Sequence, residues 1–263
     1  MINKIFNKLK RIIKVDNESL GKKEFYRDIQ TSRIKQENYI DGLDKEFDTF
    51  YKEGGVTGGF AITETAIKSF LYNLFFHKQN KYEILEFGGG QSTLFWNQYN
   101  LKNLFITTFE HDKFWFNELK EKLTSNQINL KHMPLKQIND SIRNNMFENI
   151  NDVENLYIQN STLIDDSESS NTRIKNAFYS WEKLDRKIDG IVLDGPHGNG
   201  RSLLFPLIKD YIKVGTVILL DDYNHYPFLD DLRNIADFEI IQERVYNYSN
   251  KAWIVLEIIN IKK

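Results

Sequence analysis

A chain of 263 residues that is 41% hydrophobic and 14% aromatic can bury one substantial core, so one main domain with an appendage is expected. Its formal net charge of -2 provides no global basic excess for a phosphate backbone, which sets nucleic acid aside as a partner. The absence of cysteine excludes disulfides, thiolate metal sites and cysteine nucleophiles together, so any catalysis rests on oxygen and nitrogen groups.

The chain opens with MINKIFNKLKRIIK, in which Ile2, Ile5, Phe6, Leu9, Ile12 and Ile13 fall at helical spacing among Lys4, Lys8, Lys10, Arg11 and Lys14. Such a helix lies on a membrane surface or packs on its own domain or another subunit, and both readings of residues 1–14 stay open. No apolar run reaches the roughly 18 to 20 residues of a membrane span, and the first residues lack a secretory cleavage pattern, so the expected location is the cytoplasm. Up to about residue 80 the pattern is helical, broken by the glycine-rich loop EGGVTGGF. Residues 1–79 are therefore expected to form a helical extension or lid over a domain of residues 80–263.

Within that domain, Tyr82 to Phe87 (YEILEF) reads as a buried strand followed by a glycine turn and a helix. Leu104 to Glu110 reads as a second strand with a helix to about Leu123, and Ile128 to Pro134 holds a third. A polar insertion of about residues 137–187 follows, expected to combine a loop with a helix around Ala177 to Leu184. Alternation then returns with a strand at Asp189 to Leu193, a helix at about Ser202 to Ile212, and a strand at Gly215 to Leu220. Phe238 to Arg244 and Lys251 to Ile258 read as two strands joined by a turn. The order predicts an α/β fold: a doubly wound, mainly parallel seven-stranded sheet of Rossmann-like type, with an antiparallel C-terminal hairpin and an N-terminal helical extension. In such a sheet a ligand sits beyond the carboxyl ends of the strands, which directs attention to residues 86–93, 110–112, 194–201 and 221–226. The aromatic stretches Phe95 to Tyr99 and Phe114 to Phe116 are read as helix-to-sheet packing.

Two clusters at those ends carry chemistry. In ILEFGGGQSTLFW, Glu86 closes a strand and Gly88, Gly89 and Gly90 let the backbone turn sharply and approach a ligand. Thr93 stands where the dinucleotide fingerprint has its third glycine, which disfavours a pyrophosphate-bearing cofactor. Glu110 ends the next strand, where a carboxylate meets ribose hydroxyls, and Asp112 is read as the cap of the following helix. The second cluster is IVLDGPHGNGR with GTVILLDDYNH, which sets Asp194, Asp221 and Asp222 at neighbouring strand tips. Carboxylates gathered there repel one another unless a cation joins them, and oxygen ligands suit a hard ion such as magnesium. The same aspartates can instead cap helices or line a cofactor site. His197 and His225, just past the strand ends, are of the residue type most often used as a general base near neutrality, although a solvated surface histidine is the commoner fate. Arg201 is a weaker candidate for meeting an anionic substrate.

ILEFGGGQST followed by ITTFEHD resembles the first two motifs of class I S-adenosylmethionine-dependent methyltransferases. That resemblance implies that the glycine turn cradles the methionine part of the cofactor and the strand-two carboxylate its ribose, hence Glu86, Gly88, Gly90 and Glu110, with Ser92, His111 and Asp194 beside them. GFAITETA resembles the stretch that closes over the cofactor in several O-methyltransferase families, which brings in Thr63 and Glu64; a helix start with Thr63 as N-cap is the alternative. The aspartate cluster resembles that of cation-dependent O-methyltransferases, the group containing the catechol and macrocin enzymes, and implies Asp194, Asp221 and Asp222 as metal ligands. The expected acceptor is a small-molecule or saccharide hydroxyl. Two rivals remain: a metal-dependent glycosyltransferase, whose acidic pair Asp221 and Asp222 resemble, and a catalytically silent scaffold.

Overall fold

The computed structural model describes residues 62–77, 79–99, 103–148, 152–165, 174–245 and 252–262. The basic segment 1–14, the EGGVTGGF loop and the C-terminal hairpin turn lie outside them. Helix α1 (Glu64–Phe76) starts at Thr63, whose hydroxyl accepts the Ala66 N–H at 3.3 Å. Then come β1 (Tyr82–Phe87), α2 (Gln91–Tyr99), β2 (Leu104–Glu110), α3 (Lys113–Lys122) and β3 (Ile128–His132). Asp112 caps α3 by accepting the Trp115 N–H at 3.0 Å, as its position predicts. The insertion holds β4 (Leu135–Gln137), α4 (Asp140–Glu148), α5 (Val153–Asn160), β5 (Thr162–Leu163) and β6 (Ala177–Tyr179). After β7 (Gly190–Leu193), a 3-10 turn at Asn199–Leu203 runs into α6 (Leu204–Ile208), followed by β8 (Val217–Asp221), α7 (Phe228–Arg233) and the hairpin strands β9 (Ala236–Val245) and β10 (Ala252–Ile261).

The main sheet has seven strands in the order β3-β2-β1-β7-β8-β10-β9. The first five pair in parallel and β10 runs antiparallel to both neighbours, so the doubly wound sheet with a terminal hairpin is as expected. Because side chains alternate along a strand, each strand feeds two cores. Ile84, Val192, Leu219 and Val255 face α1 and α2, while Leu85, Ile191, Ile218 and Ile254 face the opposite layer. Fully burying a Leu, Ile or Phe side chain stabilises by about 1.5 to 3 kcal/mol, so both layers are held mainly by this apolar area.

Helix α1 departs from the expected division at residue 79. Phe70 is fully buried, and a Cβ on Gly190 would come within 2.7 Å of its ring, so the helix lies directly on the sheet. Residues 64–76 therefore cover one sheet face as part of the main domain. The insertion differs too. Ala177 to Tyr179, expected as helical, form a buried strand paired with β4 in a second sheet of order β5-β4-β6. Three consecutive buried residues have no periodicity to read, so only the pairing of Leu135 with Tyr179 distinguishes strand from helix. Tyr157 fastens this sheet: its buried hydroxyl lies 3.1 Å from the carbonyls of both Phe178 and Tyr179.

The insertion meets the segment after β7 without slack, because a Cβ on Gly200 would fall 1.8 Å from the Ala177 carbonyl oxygen. Gly200→Ala is expected to cost about 1 to 3 kcal/mol or more through overpacking against backbone. Chemical denaturation should show a lowered midpoint; an unchanged midpoint would mean that the two segments are not in contact.

Candidate functional site

The strand order reverses between β1 and β7, and in open α/β sheets the crevice opens at the carboxyl ends of the strands flanking such a point. Gly88 ends β1 there with φ +97, a conformation that disfavours every side chain, and its N–H donates to the Phe109 carbonyl at 3.0 Å. A Cβ at Gly88 would lie 2.8 Å from the Gly195 nitrogen, so the two loops approach backbone to backbone. At Gly90, by contrast, a Cβ would meet nothing within 4 Å, so this glycine borders open space. Gly89, absent from the expected set, is close-packed like Gly88, 2.7 Å from a Leu119 methyl by the same measure.

The two acidic residues serve different ends. Glu86 is fully buried; its carboxylate accepts from Thr93 and Thr108 hydroxyls at 2.7 Å each and from the Trp96 indole at 2.8 Å, with Ser92 adding a fourth hydrogen bond. Burial drives its pKa above the ordinary value despite those donors. The ligand contact expected of Glu86 and Ser92 is thus replaced by an internal one, in which they tie α2 and β2 to β1 behind the glycine turn. Glu110 faces the turn itself. Its carboxylate accepts the Gly89 N–H at 2.8 Å and the Asp112 N–H at 2.6 Å, and the His111 ring nitrogen lies 3.3 Å away. Desolvation raises its pKa from 4.5 to about 7, outweighing the two amide donors. The pairing of Gly88 to Gly90 with Glu110 read from the motifs is therefore met in space, one hydrogen bond apart.

The metal triad does not assemble. Asp194, at the tip of β7, keeps 23% of its side chain exposed, whereas Asp221 is 2% exposed. Asp222 is half-buried and left-handed at φ 51. Asp221 is the last residue of β8 and Asp222 already belongs to the turn beyond it. Between the tips lies Arg201, 4% exposed, donating to the Pro196 carbonyl at 2.6 Å and the Asp221 carbonyl at 2.8 Å, with its remaining nitrogen 4.0 Å from the Asp194 carboxylate. The Arg201 guanidinium stands beside the Asp194 carboxylate, and among the described residues no group of three or more acids and histidines converges as a ligand set. The expectation of Asp194, Asp221 and Asp222 as metal ligands is corrected accordingly.

Other expected residues are placed as follows. Thr63 is spent as the N-cap of α1, the alternative its motif allowed. Glu64 opens that helix, and its side chain lies outside the described set. His197 and His225 are both exposed beyond the ends of β7 and β8. Phe95 and Trp96 pack in the core as expected, but Phe114 and Trp115 are 66% and 54% exposed at the start of α3, which corrects their reading as sheet packing. Tyr179, which no motif announced, stands with its ring against Phe87 and against His111, at centroid distances of 5.6 and 5.8 Å.

No family model matches the chain, and no curated protein matches it. Solved structures do align with it. An rRNA methylase from Streptococcus thermophilus is 12% identical with a TM-score of 0.46, covering 76% of this chain and 100% of its own. A precorrin-6y C5,15-methyltransferase from Geobacter metallireducens is 12% identical with a TM-score of 0.43, over 77% and 92% of the two chains. An O-methyltransferase from Bacillus cereus, solved in complex with SAH, is 13% identical with a TM-score of 0.41, over 83% and 90%. At such identities any activity must be argued from the residues of the site themselves.

The raised pKa of Glu110 has a thermodynamic sign. Between about pH 4.5 and 7 the folded chain holds a proton that the unfolded chain has released, so stability falls as pH rises through that window. Glu110→Gln is expected to flatten this part of the stability-versus-pH curve, measured by denaturation at pH 5, 6, 7 and 8. A variant curve parallel to that of the wild type would show that Glu110 titrates normally.

Proposed function

We propose that the protein is an S-adenosylmethionine-dependent methyltransferase acting on a hydroxyl of a small-molecule or saccharide acceptor. The observation that supports this most directly is the glycine turn at the switch point, joined to the strand-two carboxylate by the 2.8 Å bond from Gly89 to Glu110. The residues fit such a cofactor. Gly88 admits no side chain and Gly90 borders open space, which leaves room for the methionine part over the turn, and Glu110 is the acceptor for ribose hydroxyls. His111, beside it, sets a ring nitrogen 3.3 Å from the Glu110 carboxylate.

The bound sulfonium supplies an already activated methyl group, so the protein has to align an acceptor oxygen with it and exclude water. Alignment of this kind is worth roughly 7 to 11 kcal/mol of a barrier. Glu110 and the turn fix one partner; the Asp194 to Arg201 segment borders the other. Asp194 and His197 are the groups at this edge able to receive the acceptor's proton, with His225 farther along the chain past β8. Arg201 sets a positive charge 4.0 Å from the Asp194 carboxylate at this edge. The glycosyltransferase reading needs Asp221 and Asp222 to share an ion, and it leaves the glycine turn and Glu110 without a use.

Calorimetric titration with S-adenosylhomocysteine is expected to show binding unaffected by EDTA. Gly88→Ala should weaken it by more than tenfold, because the new methyl group would meet the Gly195 backbone. Affinity should also fall as pH drops through about 7, where Glu110 gains its proton and stops accepting from the ribose. Binding of a nucleotide sugar that depends on added magnesium, with none of S-adenosylhomocysteine, would overturn the assignment in favour of glycosyl transfer.

A further inference from the structure

Glu110 stands among ionisable side chains drawn from several neighbouring elements. His111 sets its Nδ1 3.3 Å from the Glu110 carboxylate, and the two side chains are 16% and 6% exposed. On the adjoining strand His132 lies opposite Glu110 in the parallel register, and its Nε2–H donates to the His111 carbonyl at 3.1 Å. A carbonyl oxygen only accepts, so this nitrogen of His132 carries the proton. The His132 ring packs on Phe116 at 5.3 Å between centroids, and the Tyr179 ring meets that of His111 edge-on at 5.8 Å. His111 is thus held by β3 through its main chain and by β6 through its ring, and the fold itself sets its nitrogen against the carboxylate.

We propose that His111 is a positioning residue of the cofactor site, sharing the proton that would otherwise settle on Glu110 and so keeping that carboxylate an acceptor for ribose hydroxyls. This rests on the cofactor reading above. The need for such a partner lies in the surroundings of Glu110. Burial drives its pKa up to about 7 against the Gly89 and Asp112 amides, and the Asp112 carboxylate adds to the rise. An imidazole 3.3 Å away is the side chain that can turn cationic near neutrality and oppose that rise. The other titratable groups around His111 are otherwise engaged. Asp112 caps α3, His132 bonds to the main chain, and Lys131 on β3 pairs with Glu182. Burial holds the Tyr179 hydroxyl far above its ordinary pKa, so it keeps its proton throughout this range. Glu110 and His111 therefore titrate as a pair, and the imidazole acts on the ligand only through the carboxylate.

His111→Gln separates this role from a structural one, because it removes the titrating nitrogen and keeps a polar side chain of similar size. The probe is 5′-methylthioadenosine, which carries the ribose but no titrating amino-acid end, with affinity measured by calorimetry from pH 6 to 9. The pH at which affinity is half lost should lie about one unit higher in His111→Gln than in the wild type, the shift that losing a neighbouring opposite charge produces. The two curves should converge as pH rises. In a Glu110→Gln background the same substitution should move nothing, since the carboxylate through which His111 acts is gone. Coincident midpoints for wild type and His111→Gln would overturn the proposal and leave the cofactor assignment standing. Affinity lowered by the same factor at every pH would also overturn it, as the mark of a packing role or of a direct ligand contact. Failure of the wild type to bind either 5′-methylthioadenosine or S-adenosylhomocysteine would instead overturn the cofactor assignment on which the proposal rests.

Discussion

The approach of Gly88 to Gly195 is the constraint from which the site follows. Two strands of a doubly wound sheet diverge where their order reverses, and the loops leaving them must pass close together before separating to opposite faces. Here they pass backbone to backbone, with φ +97 at Gly88 and no space for a side chain on either residue. Such a contact is only as reliable as whatever holds the turn from behind, and that is the buried Glu86 carboxylate. Its donors come from β2 and α2 together, so the turn, the next strand and the following helix move as one body. A carboxylate with several donors inside a fully buried site costs desolvation but leaves nothing unsatisfied, and it specifies one geometry.

The carboxyl edge carries more acid than its neighbours tolerate without compensation. Asp194, Asp221 and Asp222 sit on adjoining tips, and a divalent ion is one means of joining them. Arg201 brings a positive charge to Asp194 alone, at 4.0 Å. It arrives from the 3-10 turn after β7 and spends two of its donors on main-chain carbonyls beyond both tips, so the same side chain also staples the ends of β7 and β8. Planar, always charged and with donors in a fixed fork, arginine suits this double duty better than lysine would.

Much of this was legible in the sequence, for identifiable reasons. Strands β1, β2, β7 and β8 are short apolar runs bounded by glycine or acid, and the glycine turn with Glu110 about twenty residues on is a spacing that only a β-α-β unit produces. The pair therefore met in space as its motif implies. What escaped was whatever depended on contacts distant along the chain. Aspartates in a row read as ligands until Arg201 is seen to lie between the tips, and Glu86 reads as a cofactor contact until Thr93, Trp96 and Thr108 are found to consume its lone pairs. The exposed aromatics Phe114 and Trp115 escaped for the opposite reason: an apolar residue on a helix is expected inside, and only the direction of α3 says otherwise.

The insertion is the clearest case, because a polar stretch without periodicity gives no sign that it reaches the ligand crevice. It is clasped to the loop after β7 by a reciprocal amide pair, Asn176 N–H to the Asn199 side-chain oxygen at 2.9 Å and the Asn199 amide to the Asn176 side-chain oxygen at 2.7 Å. Gly200 closes the same joint against Ala177. Each of these contacts fixes where β6 begins, and three residues later the strand delivers Tyr179 to the glycine turn. A surface sheet held only by its own hydrogen bonds would be free to drift relative to the crevice. This one is tied to the segment that carries Asp194 and Arg201, so the three groups are placed relative to one another before any ligand arrives, and little ordering is left to be done on binding.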